Sequence, residues 1–416
     1  MKSAPWKLLL CLFIYVSTFD AHAQEIRMGF CRTNITPDQP VLMSGYDSRD
    51  KPSSGIHDSL FASALCFSDG TRQALMITSD LIGYPHDLAD RLSARIAKAT
   101  GIPAENILIT ATHNHGAPSI GTYDSLTYEP NRNYRDLLEQ KLVDISRNAS
   151  EDLQQVKIGR GKGSCYLNIN RRARFADGSI GLGRNQEGPC DHDVEVIKIE
   201  SLQGDLLAVF VNWPCHGTAN GSKNYLITGD WPGLAARYLE GDLGRDIIIF
   251  VTAGASADIN ALYGPNDKFK EITAVGYNLA QEVLKVLPGI QTKTAEHLNI
   301  TQKQLLLPGK KPLPDYSPPK TLEEGEDVEV RLAALKFGDI ILAGISGEVM
   351  TEIGMQVKER SPVENPVVIT HCNGSSGYIC TDKAFPEGGY EIKVTRLMPG
   401  AEKVIAENLL EMIGDL

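Results

Sequence analysis

The strongest constraint on this chain is its alternation between short apolar runs and amphipathic stretches. Gln73–Ile77, Asn106–Ala111, Val156–Gly159, Val194–Glu200, Leu206–Asn212 and Asp246–Val251 are rich in Val, Ile and Leu. Each is too short for a stable helix, and several lack strict polar alternation, the pattern of strands buried on both faces. Between them, Leu88, Leu92 and Ile96 recur at i+4 and are closed by Gly101, which predicts a helix and its stop. Leu138, Leu142 and Ile145 repeat the stripe over 134–148, as do Val275, Leu279, Val283 and Val286. Val328–Phe337 and Ile340–Ile345 flank Gly338-Asp339, a hairpin signal, and a last helix is expected over about 401–413. The proline-rich, acidic stretch Leu307–Asp327 predicts a long surface loop. The pattern specifies an α/β fold: a single large domain with a buried mixed β-sheet core and flanking helices.

The first 23 residues stand apart. Lys2 and Lys7 precede the apolar run Leu8–Val16, and Ala21-His22-Ala23 places small residues at a cleavage site. The run is well short of the roughly 20 residues a membrane span needs. Residues 1–23 therefore read as a signal peptide cut before Gln24, and 24–416 as an exported domain. No later stretch is long and apolar enough to span a bilayer. With 42% apolar residues the chain is not disordered, and its net charge of −11 argues against a nucleic-acid partner. Cleavage removes Cys11 and leaves Cys31, Cys66, Cys165, Cys190, Cys215, Cys372 and Cys380. An odd set leaves one thiol unpaired. Cys165–Cys190 and Cys372–Cys380 are candidate bridges in an oxidising compartment, whereas Cys215 reads as a small buried apolar residue.

The chemistry sits where strands end. Asn106–Thr112 runs into His113-Asn114-His115, whose i, i+2 spacing puts both imidazoles on one side of an extended chain. Leu206–Asn212 runs into Cys215-His216-Gly217-Thr218, and Asp246–Val251 into the small-residue loop 254–260. Ile340–Ile345 ends at Ser346-Gly347-Glu348. Strand ends are where α/β sheets bind ligands. Two strand ends with histidine, one with glutamate and one with a polar loop point to one metal site, of a type that suits zinc with a position open for water or substrate.

These residues carry a resemblance. Met28–Pro37, Met43–Tyr46, Gly55–Leu60, Thr78–Leu81, Thr112–Gly116, Asn170-Arg171, Cys215–Thr218, Gly229-Asp230, Gly347-Glu348 and Asn373–Tyr378 follow in the order seen in the neutral/alkaline non-lysosomal ceramidases. The chain resembles the N-terminal catalytic domain of that family, in a short form without the C-terminal immunoglobulin-like domain. The resemblance implies that His113, His216, Glu348 and Tyr378 hold one Zn2+. It implies that Tyr390, twelve residues beyond Tyr378, faces the scissile carbonyl, and that His115 and Arg171 are polar groups of the active site. The family's serine nucleophile aligns with Asn260, and an amide is no nucleophile. Ser256 serves as nucleophile only if the loop register shifts.

The expectation is an exported zinc-dependent hydrolase that cleaves the amide bond of an N-acyl substrate, ceramide-like by resemblance. Its partner is thus a lipid or another small molecule. One alternative is a zinc-dependent esterase or deacylase acting on a carbohydrate or other polar substrate. An alternative of another class is a non-catalytic, zinc-stabilised binding protein.

Overall fold

The computed structural model describes residues 25–266 and 268–416; the signal peptide expected over 1–23 lies outside them. The main sheet has eight strands in the order Ile248–Ala253, Leu206–Trp213, Asp193–Ser201, Gln154–Ser164, Arg27–Asn34, Phe61–Ser68, Gln73–Ser79, Ile107–Ile109. The outermost pair at each edge is parallel and the middle is antiparallel, so the sheet is mixed. A second sheet runs Leu298–Lys310, Glu324–Phe337, Ile340–Ile345, Val367–Ile369, its last pair parallel.

Side-chain alternation stacks these sheets into four layers. In Gln73–Ser79, Leu75 and Ile77 pack under the helices His86–Thr100 and Glu129–Glu151, while Ala74 and Met76 face the second sheet. In Leu206–Trp213, Val209, Val211 and Trp213 meet the helices Asp230–Leu243 and Phe269–Val286, and Ala208 and Phe210 face inward. In Glu324–Phe337, Ala333, Leu335 and Phe337 complete that inner layer. Val328, Val330, Leu332 and Ala334 lie under the helices Thr351–Arg360 and Ala401–Gly414. Both faces of both sheets are therefore covered over their central strands, which is why so few of these alternate in sequence. The main sheet also coils. Thr78 donates its hydroxyl to the carbonyl of Val251 in the opposite edge strand, 2.7 Å away, which brings the ends of distant strands together.

Several expectations change at the boundaries. The strand predicted over Val156–Gly159 extends over Gln154–Ser164. Gly159, Gly161 and Gly163 leave no room for a Cβ against Gln291, Ile290 and Val286, so these glycines mark close packing rather than a strand end. The loop expected over Leu307–Asp327 is shorter, because the hairpin ladder continues to Lys310↔Glu324. A register shift between Leu307 and Gly309 accommodates Pro308, which has no N–H to give the ladder. Helix Asp230–Leu243 is absent from the sequence reading because Pro232 and Gly233 occupy its first turn. Neither predicted disulfide forms; all seven described cysteines are free. Cys372 packs in the layer between the sheets and Cys380 beneath the outer helices, so the two sit in different cores. Cys190 lies 3.7 Å from Nδ1 of His192 instead of bonding Cys165. Cys215 is fully buried within an apolar cluster, as expected, and its thiol donates to the carbonyl of His216.

Candidate metal centre

The histidine-bearing turns are laid side by side. His113 turns with φ 57°, and Asn114 forms a parallel bridge with Gly217. Asn114 holds that turn by donating its amide to the carbonyl of Thr228 at 2.7 Å and accepting from the N–H of Gly116 at 2.7 Å. Backbone N–H of His115 donates to the carbonyl of Gly217, and the indole of Trp231 to that of His216. Glu348 and Tyr378 are direct partners in a short parallel pair, so a cross-strand register sets their spacing.

Each imidazole of the trio is oriented the same way. Nδ1 of His113 lies 2.9 Å from the carbonyl of Ile82, and Nδ1 of His115 lies 3.1 Å from that of Gly45. Nδ1 of His216 is shared between the carbonyls of Ser256 and Ile259, at 2.6 and 3.1 Å. A carbonyl only accepts, so each Nδ1 carries the proton and each Nε2 presents a bare lone pair. Those lone pairs converge. The Nε2 atoms of His113 and His115 are 3.3 Å apart, and the ligand atoms of His113, His115 and His216 all lie within 4.8 Å of one another. One oxygen of Glu348 lies 3.1 Å from Nε2 of His216 and 3.4 Å from that of His113. Acceptors facing acceptors in a buried site favour a cation between them, and three imidazoles with a carboxylate could hold a transition metal.

Donors ring the cluster. Arg171 places Nη1 3.4 Å from Nε2 of His216 and 3.4 Å from Oδ1 of Asn260, and Nη2 3.1 Å from the phenol of Tyr378. Its Nε is paired with Glu391 at 2.8 Å, and Arg172 binds the other Glu391 oxygen at 3.0 Å. Tyr378 and Tyr390 meet edge to face at 5.6 Å. Burial and the neighbouring Arg171 charge pull His216 down to about 4. Burial, reinforced by the other imidazoles, holds His115 and His371 well below the ordinary histidine value. These rings are therefore neutral and available as ligands at neutral pH. Burial pushes Glu348 upward, and positive charge at the imidazole cluster is what holds it well below the usual carboxylate range. Burial raises the Tyr378 phenol well above its usual value, and raises Asp258 to about 6.

The structure brings His113, His115, His216, Glu348, Tyr378, Tyr390, Arg171 and Asn260 into one cluster. His115 sits within the same trio as the two histidines expected to bind metal. Asn260 accepts from Arg171 and, at 3.4 Å, from the hydroxyl of Thr218. Ser256 reaches the cluster through its backbone carbonyl, and among the described residues its hydroxyl bonds no histidine. Sequence reasoning missed His371, whose ring stacks on His113 at 4.0 Å and 13°. It too follows a strand, Val367–Ile369, so the strand-end rule would have found it. A cavity of about 650 Å³ adjoins the centre, and its lining includes Gly45 and Ile82, whose carbonyls orient His115 and His113.

The neutral ceramidase of Drosophila pseudoobscura pseudoobscura is 27% identical over 229 residues, which cover 51% of this chain and 32% of that protein. The neutral ceramidase of Pseudomonas aeruginosa is 25% identical over 256 residues, covering 59% and 38% respectively. The matched sequence thus spans about a third of the length of these relatives. The crystal structure of the Pseudomonas aeruginosa neutral ceramidase superposes with a TM-score of 0.77 at 17% identity, over 94% of this chain and 74% of that one. A ceramidase complexed with C2 gives 0.78 at 17% identity, over 94% and 75%. These likenesses show a shared fold. The model of the neutral/alkaline non-lysosomal ceramidase N-terminal region matches residues 27–258, more than half of the chain, and the chain belongs to that family.

Proposed function

We propose that this chain is an exported, zinc-dependent amidohydrolase that cleaves the amide bond of an N-acyl, ceramide-like substrate. Export rests on the signal-peptide pattern of residues 1–23. The observation that carries the activity is the convergence of bare Nε2 atoms and Glu348 on one point beside Arg171, Tyr390 and Asn260. His113, His216, Glu348 and Tyr378 would hold the zinc. When bound, zinc supplies Lewis acidity toward a carbonyl oxygen and lowers the pKa of water. Arg171, locked by Glu391, and the Tyr390 phenol donate toward the oxygen on which charge develops. His115 takes and returns a proton at Nε2, because the Gly45 carbonyl occupies its Nδ1–H. Asn260 orients substrate as a hydrogen-bonding group in place of a nucleophile.

A second reading has its own support. The cavity beside the centre has apolar walls at Leu42, Met43 and Ile82, but Asp47, Asp50, Lys51 and Asp124 also line it. That lining suits a polar head group, as in an acylated carbohydrate cleaved by an esterase or deacylase. Metal analysis, followed by turnover of N-acylsphingosine and of acylated sugars with chelator and with zinc restored, separates the two. Zinc-restored cleavage of the lipid amide is the expected result. Chelator-insensitive turnover would remove the metal from the mechanism, and activity on sugars alone would establish the second reading.

A further inference from the structure

We infer that His371 is a positioning residue for the metal centre, a flat buttress that fixes the plane of the His113 ring. This rests on the metal-binding reading above. His371 is 3% exposed, and its ring lies parallel to His113 at 4.0 Å and 13°. His216 and His115 meet His113 edge-on, at 70° and 88°. The Ile82 carbonyl fixes one ring atom of His113 but leaves the ring free to pivot about that bond. The stack from His371 removes the pivot.

The segment carrying His371 is tied to three of the strand ends around the centre. Thr370 donates from its N–H to the carbonyl of Ala253 and from its hydroxyl to that of Gly254, after one edge strand. His371 N–H donates to the carbonyl of Gly347, beside Glu348, and Cys372 N–H to that of Ile345. Asn373 completes the open edge of Ile107–Ile109: its N–H donates to the carbonyl of Ile109, and its Oδ1 accepts from the N–H of Ile109 at 2.7 Å. That is the strand that delivers His113. His371 and Asn373 hold left-handed φ values of 55° and 58°. For residues with a Cβ this conformation is costly and persists only where surrounding bonds dictate it. The ring of His371 makes no hydrogen bond among the described residues, so its flat face is what it offers.

The test is metal affinity, read without turnover. Zinc dissociation constants of the metal-stripped parent, His371→Ala and His371→Phe are measured by chelator competition, with the visible spectrum of the Co2+-loaded forms. His371→Ala is expected to weaken zinc by about 10–100-fold, the usual effect of losing a group that orients a ligand, and to shift the Co2+ bands. His371→Phe keeps a flat ring and is expected to bind within about threefold of the parent with an unshifted spectrum. His371→Leu, which fills the volume without a flat face, behaves as Ala and serves if the smaller residue prevents folding. Parental affinity and spectrum in His371→Ala, or equal weakening in His371→Phe, would overturn the buttress. A parent that binds no zinc would instead overturn the metal-centre reading itself.

Discussion

His216 is locked at Nδ1 by two carbonyls and pulled down to about 4, which makes it a buried neutral base. Its ordinary value is 6.5. Between those limits the unfolded chain binds a proton that the folded chain refuses, so its contribution to stability is lost as pH falls through this window. Asp80, Asp230 and Asp258 act with the opposite sign. Burial raises each to about 6, so their contribution is present below about 3.8 and lost as pH rises through 6. Urea unfolding of the metal-stripped protein isolates the histidine. From pH 7 to 5, His216→Gln is expected to lose about 2 kcal/mol less than the parent; equal losses would refute the assignment. Gly45 gives a second test. A Cβ there would fall 2.3 Å from Nδ1 of His115 at φ +94°, so Gly45→Ala should displace that ring. The expected cost is about 1–2 kcal/mol in the same unfolding assay, with zinc affinity kept if His115 stands outside the ligand set. His115 and His216 were legible because they stand where apolar runs end. His371 follows Val367–Ile369 as His113 follows Ile107–Ile109, but it lacks the neighbouring His-x-His, His-Gly-Thr or Gly-Glu pattern that marked the other strand ends.

At the level of elements, glycine misled the sequence reading most. The strand Gln154–Ser164 carries glycine at alternate positions on the face that meets Phe269–Val286 and the turn beyond it. Composition there reads as a break, while the backbone continues unbroken along Asp193–Ser201 from Val156 to Ser164. Gly161→Val should therefore push the turn at Ile290 away and destabilise the protein by about 1–3 kcal/mol. A denaturation midpoint unchanged by that substitution would show that the layer is looser than the contacts indicate. The helix Asp230–Leu243 was hidden for a related reason: Pro232 and Gly233 look like breakers, yet a first helical turn tolerates them. By contrast, the hairpin around Gly338-Asp339 and the stripe closed by Gly101, which caps with φ 78°, are local features and were legible.

At the scale of the whole molecule, the layering was legible only in part. Runs without alternation foretold strands covered on both faces, but not that a second sheet would supply one cover. That pairing depends on contacts between segments far apart in sequence. Glu391 is one such link: it is 1% exposed and binds Arg171 and Arg172, joining the short helix Tyr390–Val394 to the strand Asn168–Arg174. Removing its charge strands the buried Arg171 guanidinium, while Arg172 keeps Glu387. Glu391→Gln is expected to cost about 3–5 kcal/mol by urea unfolding, and a loss below about 1 kcal/mol would mean that water already relieves the pair.

The donor set of the proposed metal centre has a consequence for the order of folding. Its members run from His113 to Tyr378 and come from turns that follow both sheets. Contacts so distant along the chain are among the last to form, because a long loop must close before any of them is gained. The chain would thus complete its layers before it could grip an ion. In refolding experiments, zinc present from the start should leave the main rate unchanged, whereas zinc bound to the finished protein should slow its unfolding.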